Sequence, residues 1–174
     1  MITRNKELLL SDGLPPADML RSVIREHARG LPRLCKLREY YAGRHDILRR
    51  ERRAGLPNSR VPHGFAAYIS DMAAGYLIGA PVRYESTEAL TALQNALLLC
   101  DAPSVDAELA MQQSVYGKGV ELTWVDRDGL PRCTALDPKE AFVVYGDDVS
   151  AEPLFGVRLY WEKDARGCRA ARRA

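Results

Sequence analysis

Residues 40–84 read YYAGRHDILRRERRAGLPNSRVPHGFAAYISDMAAGYLIGAPVRY. Tyr40 and Tyr41 close a run with helical spacing, and Gly43 is placed to end it in the left-handed region. Arg49, Arg50, Arg52, Arg53 and Arg60 then crowd a segment opposed only by Glu51. Gly55, Pro57 and Asn58 mark that segment as loop. From residue 64 to 79 the pattern is helical again, with Phe65, Ile69, Met72, Tyr76 and Leu77 along one broad face. Ala66, Ala67, Ala73, Ala74 and Gly75 offer small surfaces for close packing. Gly79 ends the helix, and Pro81-Val82-Arg83-Tyr84 leaves it extended.

Upstream, Pro15-Pro16-Ala17-Asp18 suits a helix start, since proline is tolerated in a first turn. Met19, Val23, Ile24 and His27 follow at helical spacing, and Gly30 and Pro32 are expected to break the helix. A second helix then carries Leu34, Leu37 and Tyr41 on one face, and His45, Ile47 and Leu48 make one more turn. Downstream, Thr87 is the expected N-cap of a helix bearing Leu90, Leu93, Leu97 and Leu98. Asp101 or Ser104 caps the next, which carries Leu109, Met111, Val115 and Tyr116 and stops at Gly117-Lys118-Gly119.

Strand patterning takes over at Val120–Val125. Asp126-Arg127-Asp128-Gly129 reads as a hairpin turn returning through Pro131–Leu136. Two further strands are expected at Ala141–Tyr145 and Leu154–Trp161. Helices first and strands later give an α+β class: a helical N-terminal half packed on a small, mainly antiparallel sheet over residues 120–162. Residues 1–164 read as one domain, and 165–174, mostly Arg and Ala, as a disordered tail.

The 174 residues suffice for a core, and a hydrophobic fraction of 47% excludes general disorder. A net charge of +2 gives no overall argument for nucleic acid, so any such argument rests on the arginine loop. Cys35, Cys100, Cys133 and Cys168 lack the close pairing of zinc ligands and read as free thiols. The N-terminus has no apolar signal core, and no segment is long and apolar enough to span a bilayer.

Catalytic patterns are missing as well. His27, His45 and His63 fall on different elements, and His45-Asp46 lacks the further ligands of a metal phosphohydrolase. A triad of Ser70 or Ser114 with His63 has no nucleophile elbow to support it. Tyr116-Gly117-Lys118-Gly119 follows a helix and precedes a strand, the reverse of a phosphate loop. Tyr40 and Tyr41 beside Arg38 and Arg44 suggest base stacking, but Tyr41 sits on the apolar face and is first a packing residue. No enzyme activity, cofactor or metal is expected.

The order of these pieces resembles the N-terminal region of tailed-phage portal proteins, in the headful-packaging siphophage branch. The matching residues are Leu34, Leu37, Tyr40, Tyr41, Gly43, His45 and Ile47; Leu56 to Val61, with Asn58; and Phe65, Tyr68, Asp71, Met72, Gly75, Tyr76, Gly79 and Pro81. Tyr116-Gly117 before paired strands completes them. The resemblance implies the N-terminal part of a portal wing domain, with structural roles for these positions. It implies a dodecamer-type ring of portal subunits at a capsid vertex in the virion, assembled in the bacterial host cytoplasm or left as a prophage remnant. Its partners would be terminase, scaffold, capsid and head-completion proteins, with DNA passing through. Stem, clip and crown would lie beyond this chain, which reads as truncated and not competent alone. Surfaces normally covered are then expected to be open, at Leu8 to Leu10, Leu14 and Leu97 to Leu99. The alternative reading is a small nucleic-acid-binding module using the arginine loop.

Overall fold

One helix, α1, runs without interruption over Ala17–Tyr41. The expected break at Gly30 and Pro32 does not occur. A proline inside a helix removes one hydrogen bond and costs about 3 kcal/mol. The carbonyl it strands belongs to Ala28, and both residues are exposed, which leaves that group on the solvent side of the helix. Met19, Val23, His27 and Leu34 are buried on either side of the proline and hold the helix through it.

The computed structural model describes residues 1–9, 14–51, 55, 58–163 and 169–173. The architecture is α+β. Where the sequence reads one domain over residues 1–164, the chain divides into two compact units. The first comprises Met1–Leu34 and Asp137–Ala174, and the second is Cys35–Leu136, inserted between those two pieces.

The first unit is built on a sheet of order β1-β4-β5-β6. Strands β4 (Ala141–Gly146) and β5 (Pro153–Lys163) pair antiparallel, with Phe142 opposite Val157. The short β1 (Ile2–Arg4) lies parallel to β4, Ile2 opposite Val144. Val23 of α1, Phe142, Val144 and Val157 form the core, flanked by Ile2, Leu20, Ile24, Phe155 and Leu159. His27 belongs to this packing: its ring stacks on Phe142 at 4.3 Å between centroids. Its Nε2 donates to the carbonyl of Lys139 at 2.9 Å. Arg4 bridges β1 to α1 through Ser22 Oγ at 2.7 Å and Glu26 at 2.9 Å.

The tail also differs from expectation. Arg169–Arg173 form β6, antiparallel to β5 with Leu159 opposite Arg173, while 164–168 and 174 lie outside the described residues. Pairing satisfies a strand edge that would otherwise present open backbone groups.

The second unit holds α2 (Phe65–Leu77), α3 (Thr91–Leu99) and α4 (Ala102–Tyr116), with the hairpin β2 (Val120–Val125) and β3 (Pro131–Leu136). The expected single sheet over 120–162 is therefore two sheets, the hairpin standing with the helices. Thr87 is not the α3 cap. Ser86 Oγ accepts from the Glu88 N–H at 3.2 Å, which keeps that stretch in a turn, and α3 starts later. Asp101 caps α4 by position, with φ 49° and no side-chain bond. Asp126 organises the hairpin turn: its Oδ1 accepts from the Asp128 and Leu130 N–H groups, and Arg132 Nε meets Oδ2 at 2.9 Å. Those bonds, the Leu130 N–H foremost, hold the Asp126 carboxyl below its usual range. Arg132 also donates to the Leu99 carbonyl, and the Cys100 thiol to that of Pro131, fastening the hairpin to the end of α3.

Candidate functional site

The residues that mark the 40–84 stretch meet at a joint between the end of α1 and α2, within the second unit. Gly43 takes φ 74°, the left-handed value that ends the helix. The chain then turns back through a short 3₁₀ segment, Asp46–Arg49, preceded by His45. Tyr40 donates its hydroxyl to Asp46 at 3.0 Å, and Lys36 pairs with the same carboxylate at 2.9 Å. The Lys36 bond holds the Asp46 carboxyl below the ordinary range, Tyr40 adding to the effect, and Asp46 in turn raises the Lys36 ammonium. His45 packs edge-on against Tyr40 at 5.0 Å. Its Nε2 is buried without a hydrogen-bond partner.

Tyr41 makes the link to α2. Its hydroxyl donates to Asp71 at 2.9 Å, and Arg38 lies over its ring at 5.3 Å. Hydrogen bonding to Asp71, then burial and the Asp71 charge, push the phenol above its ordinary pKa of 10.0; Arg38 opposes them. A tyrosine read first as packing is thus also a hydrogen-bonded strut, and its partner Asp71 stands thirty positions along the chain.

The packing of α2 reverses ordinary helix burial. It lies against α4, and the side chains it takes out of water are small: Ser70 is buried, Ala66, Ala67 and Ala74 are half-buried. Of its own residues, α4 buries Ala110, Gln112 and Val115. The large apolar residues stand on the other side. Phe65, Tyr68, Ile69 and Met72 are each at least 60% exposed, and Tyr76 is 96% exposed. At the exit, a Cβ on Gly79 would lie 2.5 Å from the Gly75 carbonyl oxygen, so only glycine fits there. Gly75 itself has open space around it, and nothing in the structure explains it. Pro81 follows in an exposed, non-helical segment.

Two arginines of the loop are bonded within the chain while remaining exposed. Arg49 pairs with Glu39 at 3.4 Å, and Arg60 donates to the Leu48 carbonyl at 3.1 Å. With its amide oxygen turned toward Arg60, Asn58 accepts from that guanidinium at 2.8 and 3.2 Å. Arg50 is exposed, and Arg52 and Arg53 lie outside the described residues. Among the described residues no group of His, Cys, Asp and Glu is arranged to hold a metal ion. No helix among them is long and apolar enough to cross a membrane. Cys35, Cys100 and Cys133 are free thiols; burial, with the Cys100 thiol beside it, pushes Cys133 up to about 11.

The joint is assembled from tyrosines, glycines, Lys36 and two aspartates, Asp46 and Asp71, bonded within the chain. The family model for phage portal proteins of the SPP1 Gp6-like type matches residues 20–168. The chain belongs to this portal protein family. It is 28% identical over 166 residues to the portal protein of Bacillus phage SPP1, a match covering 88% of this chain and 32% of that relative. The chain thus spans about a third of the length of the curated portal protein it matches. Sequence reasoning singled out Tyr40, Tyr41, Gly43, His45 and Asp71, which the structure brings to the joint, and gave Lys36 no part in it. Gly119 is held by crowding: a Cβ there would lie 3.1 Å from the Leu109 carbonyl oxygen.

Proposed function

We propose that this chain is a structural part of a portal ring, the head–tail connector through which a tailed phage or prophage packages and ejects DNA. The observation that carries the reading, beside family membership, is how the marked residues are used. Tyr40, Tyr41, Asp46 and Asp71 bond to one another or to Lys36 across the α1–α2 joint. They position helices and converge on no substrate cleft, which suits a scaffold and not an enzyme. The partners proposed are other portal subunits in a dodecamer-type ring, terminase, scaffold and capsid proteins, and head-completion proteins. The place proposed is a capsid vertex, reached from the bacterial cytoplasm during assembly. The chain is proposed to supply the N-terminal part of the wing, without cofactor.

The alternative, a nucleic-acid module using Arg49, Arg50, Arg52, Arg53 and Arg60, is weakened by the engagement of Arg49 and Arg60 within the chain. Sedimentation over a concentration series, beside a salt titration of DNA affinity, separates the two. The portal reading expects monomers at micromolar concentration giving way to larger species as concentration rises, and weak DNA binding. A chain that stays monomeric throughout, and whose DNA affinity falls steeply with salt by a slope that Arg49→Ala and Arg50→Ala reduce, overturns it.

A further inference from the structure

The open face of α2 and a separate groove on the same unit form a complementary pair. Phe65, Tyr68, Ile69, Met72 and Tyr76 recur at helical spacing and share one side of α2, opposite the Ser70 side that meets α4. Together they stand about two-thirds open to water. At roughly 200 Å² for a large side chain, that stripe presents on the order of 700 Å². A monomer's largest apolar patch is roughly 300–600 Å², whereas one side of a stable protein interface covers about 800 Å². The stripe is thus sized for a protein partner. It carries no formal charge, so covering it strips water from no ion of the stripe itself.

The groove is mainly apolar, with charged groups on its walls. It has a volume of about 400 Å³ and is lined by Val82, Tyr84, Leu97, Leu98, Ala102 and Pro103, with Arg83, Glu85 and Asp106 also on its walls. No residue of the α2 stripe lines it. A projecting stripe and a recess made of different residues of one unit can pair reciprocally about a two-fold axis or singly, head to tail. The head-to-tail mode is the one that closes into rings or grows as filaments.

We infer that the α2 stripe of one copy seats in the Val82–Pro103 groove of a second copy of this chain. The inference rests on the portal reading and names the surfaces that would carry its self-association. Tyr76, the most open residue of the stripe, is its leading anchor, because buried aromatics dominate protein interfaces.

The test uses two variants of the full chain at exposed positions, Met72→Glu on the stripe and Leu98→Glu in the groove. Thermal melts at low concentration should match the parent chain. Sedimentation should show each variant alone weakened in self-association by at least about 30-fold, the size of a hot-spot loss. Mixing the two leaves one intact stripe and one intact groove, so the mixture should recover association that stops at a pair. Parent chain that associates while both variants do so equally well overturns the inference and leaves the portal reading standing. Variants that each fail and are not restored by mixing overturn the stripe-to-groove pairing. Parent chain that never associates overturns the inference and leaves the portal reading to the DNA titration.

Discussion

Helices α1 and α2 carry the same kind of apolar stripe and treat it in opposite ways. In α1, Met19, Val23, His27 and Leu34 follow helical spacing and are buried. In α2, Phe65, Ile69, Met72 and Tyr76 follow it as faithfully and stand in water. The difference lies in the alternative face each helix offers. Off its stripe, the stretch of α1 between Asp18 and Glu39 is studded with Arg, Lys and Glu, which stay solvated at little cost, so only the apolar side can go inward. The opposite side of α2 holds Ala66, Ala67, Ser70 and Ala74, and small residues let another helix come close. Periodicity therefore says which residues share a face. Whether that face is closed within the chain depends on what stands behind it.

The largest effect expected from breaking this contrast is in the first unit. Val23 is fully buried against Phe142, Val144 and Val157, so Val23→Ala should cost about 2–3 kcal/mol of unfolding free energy. Ile69→Ala, the equivalent truncation on the α2 stripe, should change it by less than about 0.5 kcal/mol. Denaturant titration of both variants at low protein concentration checks the pair.

A second pair sharpens how α2 ends. Gly79→Ala pushes a methyl against the Gly75 carbonyl and should cost about 1–3 kcal/mol, because backbone has to shift. Gly75→Ala meets nothing and gains helix propensity, so it should be neutral or stabilising by up to about 1 kcal/mol. Equal losses in the two melts would contradict this account of the exit from α2.

The Tyr41–Asp71 strut gives a smaller, pH-dependent effect. Its phenol is raised above 10.0, so as pH climbs past that value the unfolded chain releases its proton first. The strut's contribution is then complete below pH 10 and is lost as pH rises through the raised value. Asp71→Asn removes the carboxylate, the leading cause of the shift. In a spectrophotometric titration it should bring one tyrosine back toward the ordinary value; an unchanged titration curve would count against the strut.

The smallest effect concerns thiols. Cys35 is exposed on α1, whereas Cys133 is pushed up to about 11 and holds little thiolate at neutral pH. Alkylation followed by mass spectrometry should label Cys35 well before Cys133.

Local chemistry made much of this legible. Gly43 and Gly117 end their helices in left-handed conformation and the hairpin turns at Asp126–Gly129, as read from sequence; its register sets Val120 opposite Leu136. What escaped was set by distant partners. Strand β1 is three residues long and exists because β4, far along the chain, offers an edge. The continuity of α1 through Pro32 depends on burial on both sides of it, which no local rule supplies. Exposure was expected at Leu8 to Leu10, Leu14 and Leu97 to Leu99: Leu8, Leu14, Leu98 and Leu99 are open, Leu9 and Leu97 are half-buried, and Leu10 lies outside the described residues, while the wider open surface is the α2 stripe. In the candidate site the tyrosines and glycines were visible, but not the Tyr41–Asp71 contact, since spacing of thirty residues encodes no partner.

Methionine oxidation read by mass spectrometry tests the contrast most directly, because each stripe carries one methionine. Met19 lies on the α1 stripe at 8% exposure and Met72 on the α2 stripe at 60%. In dilute solution Met72 should oxidise many times faster than Met19, and its rate alone should fall as protein concentration rises and copies cover it. Met72 protected as well as Met19 at every dilution would mean that α2 is already closed within its own chain, and would contradict the account.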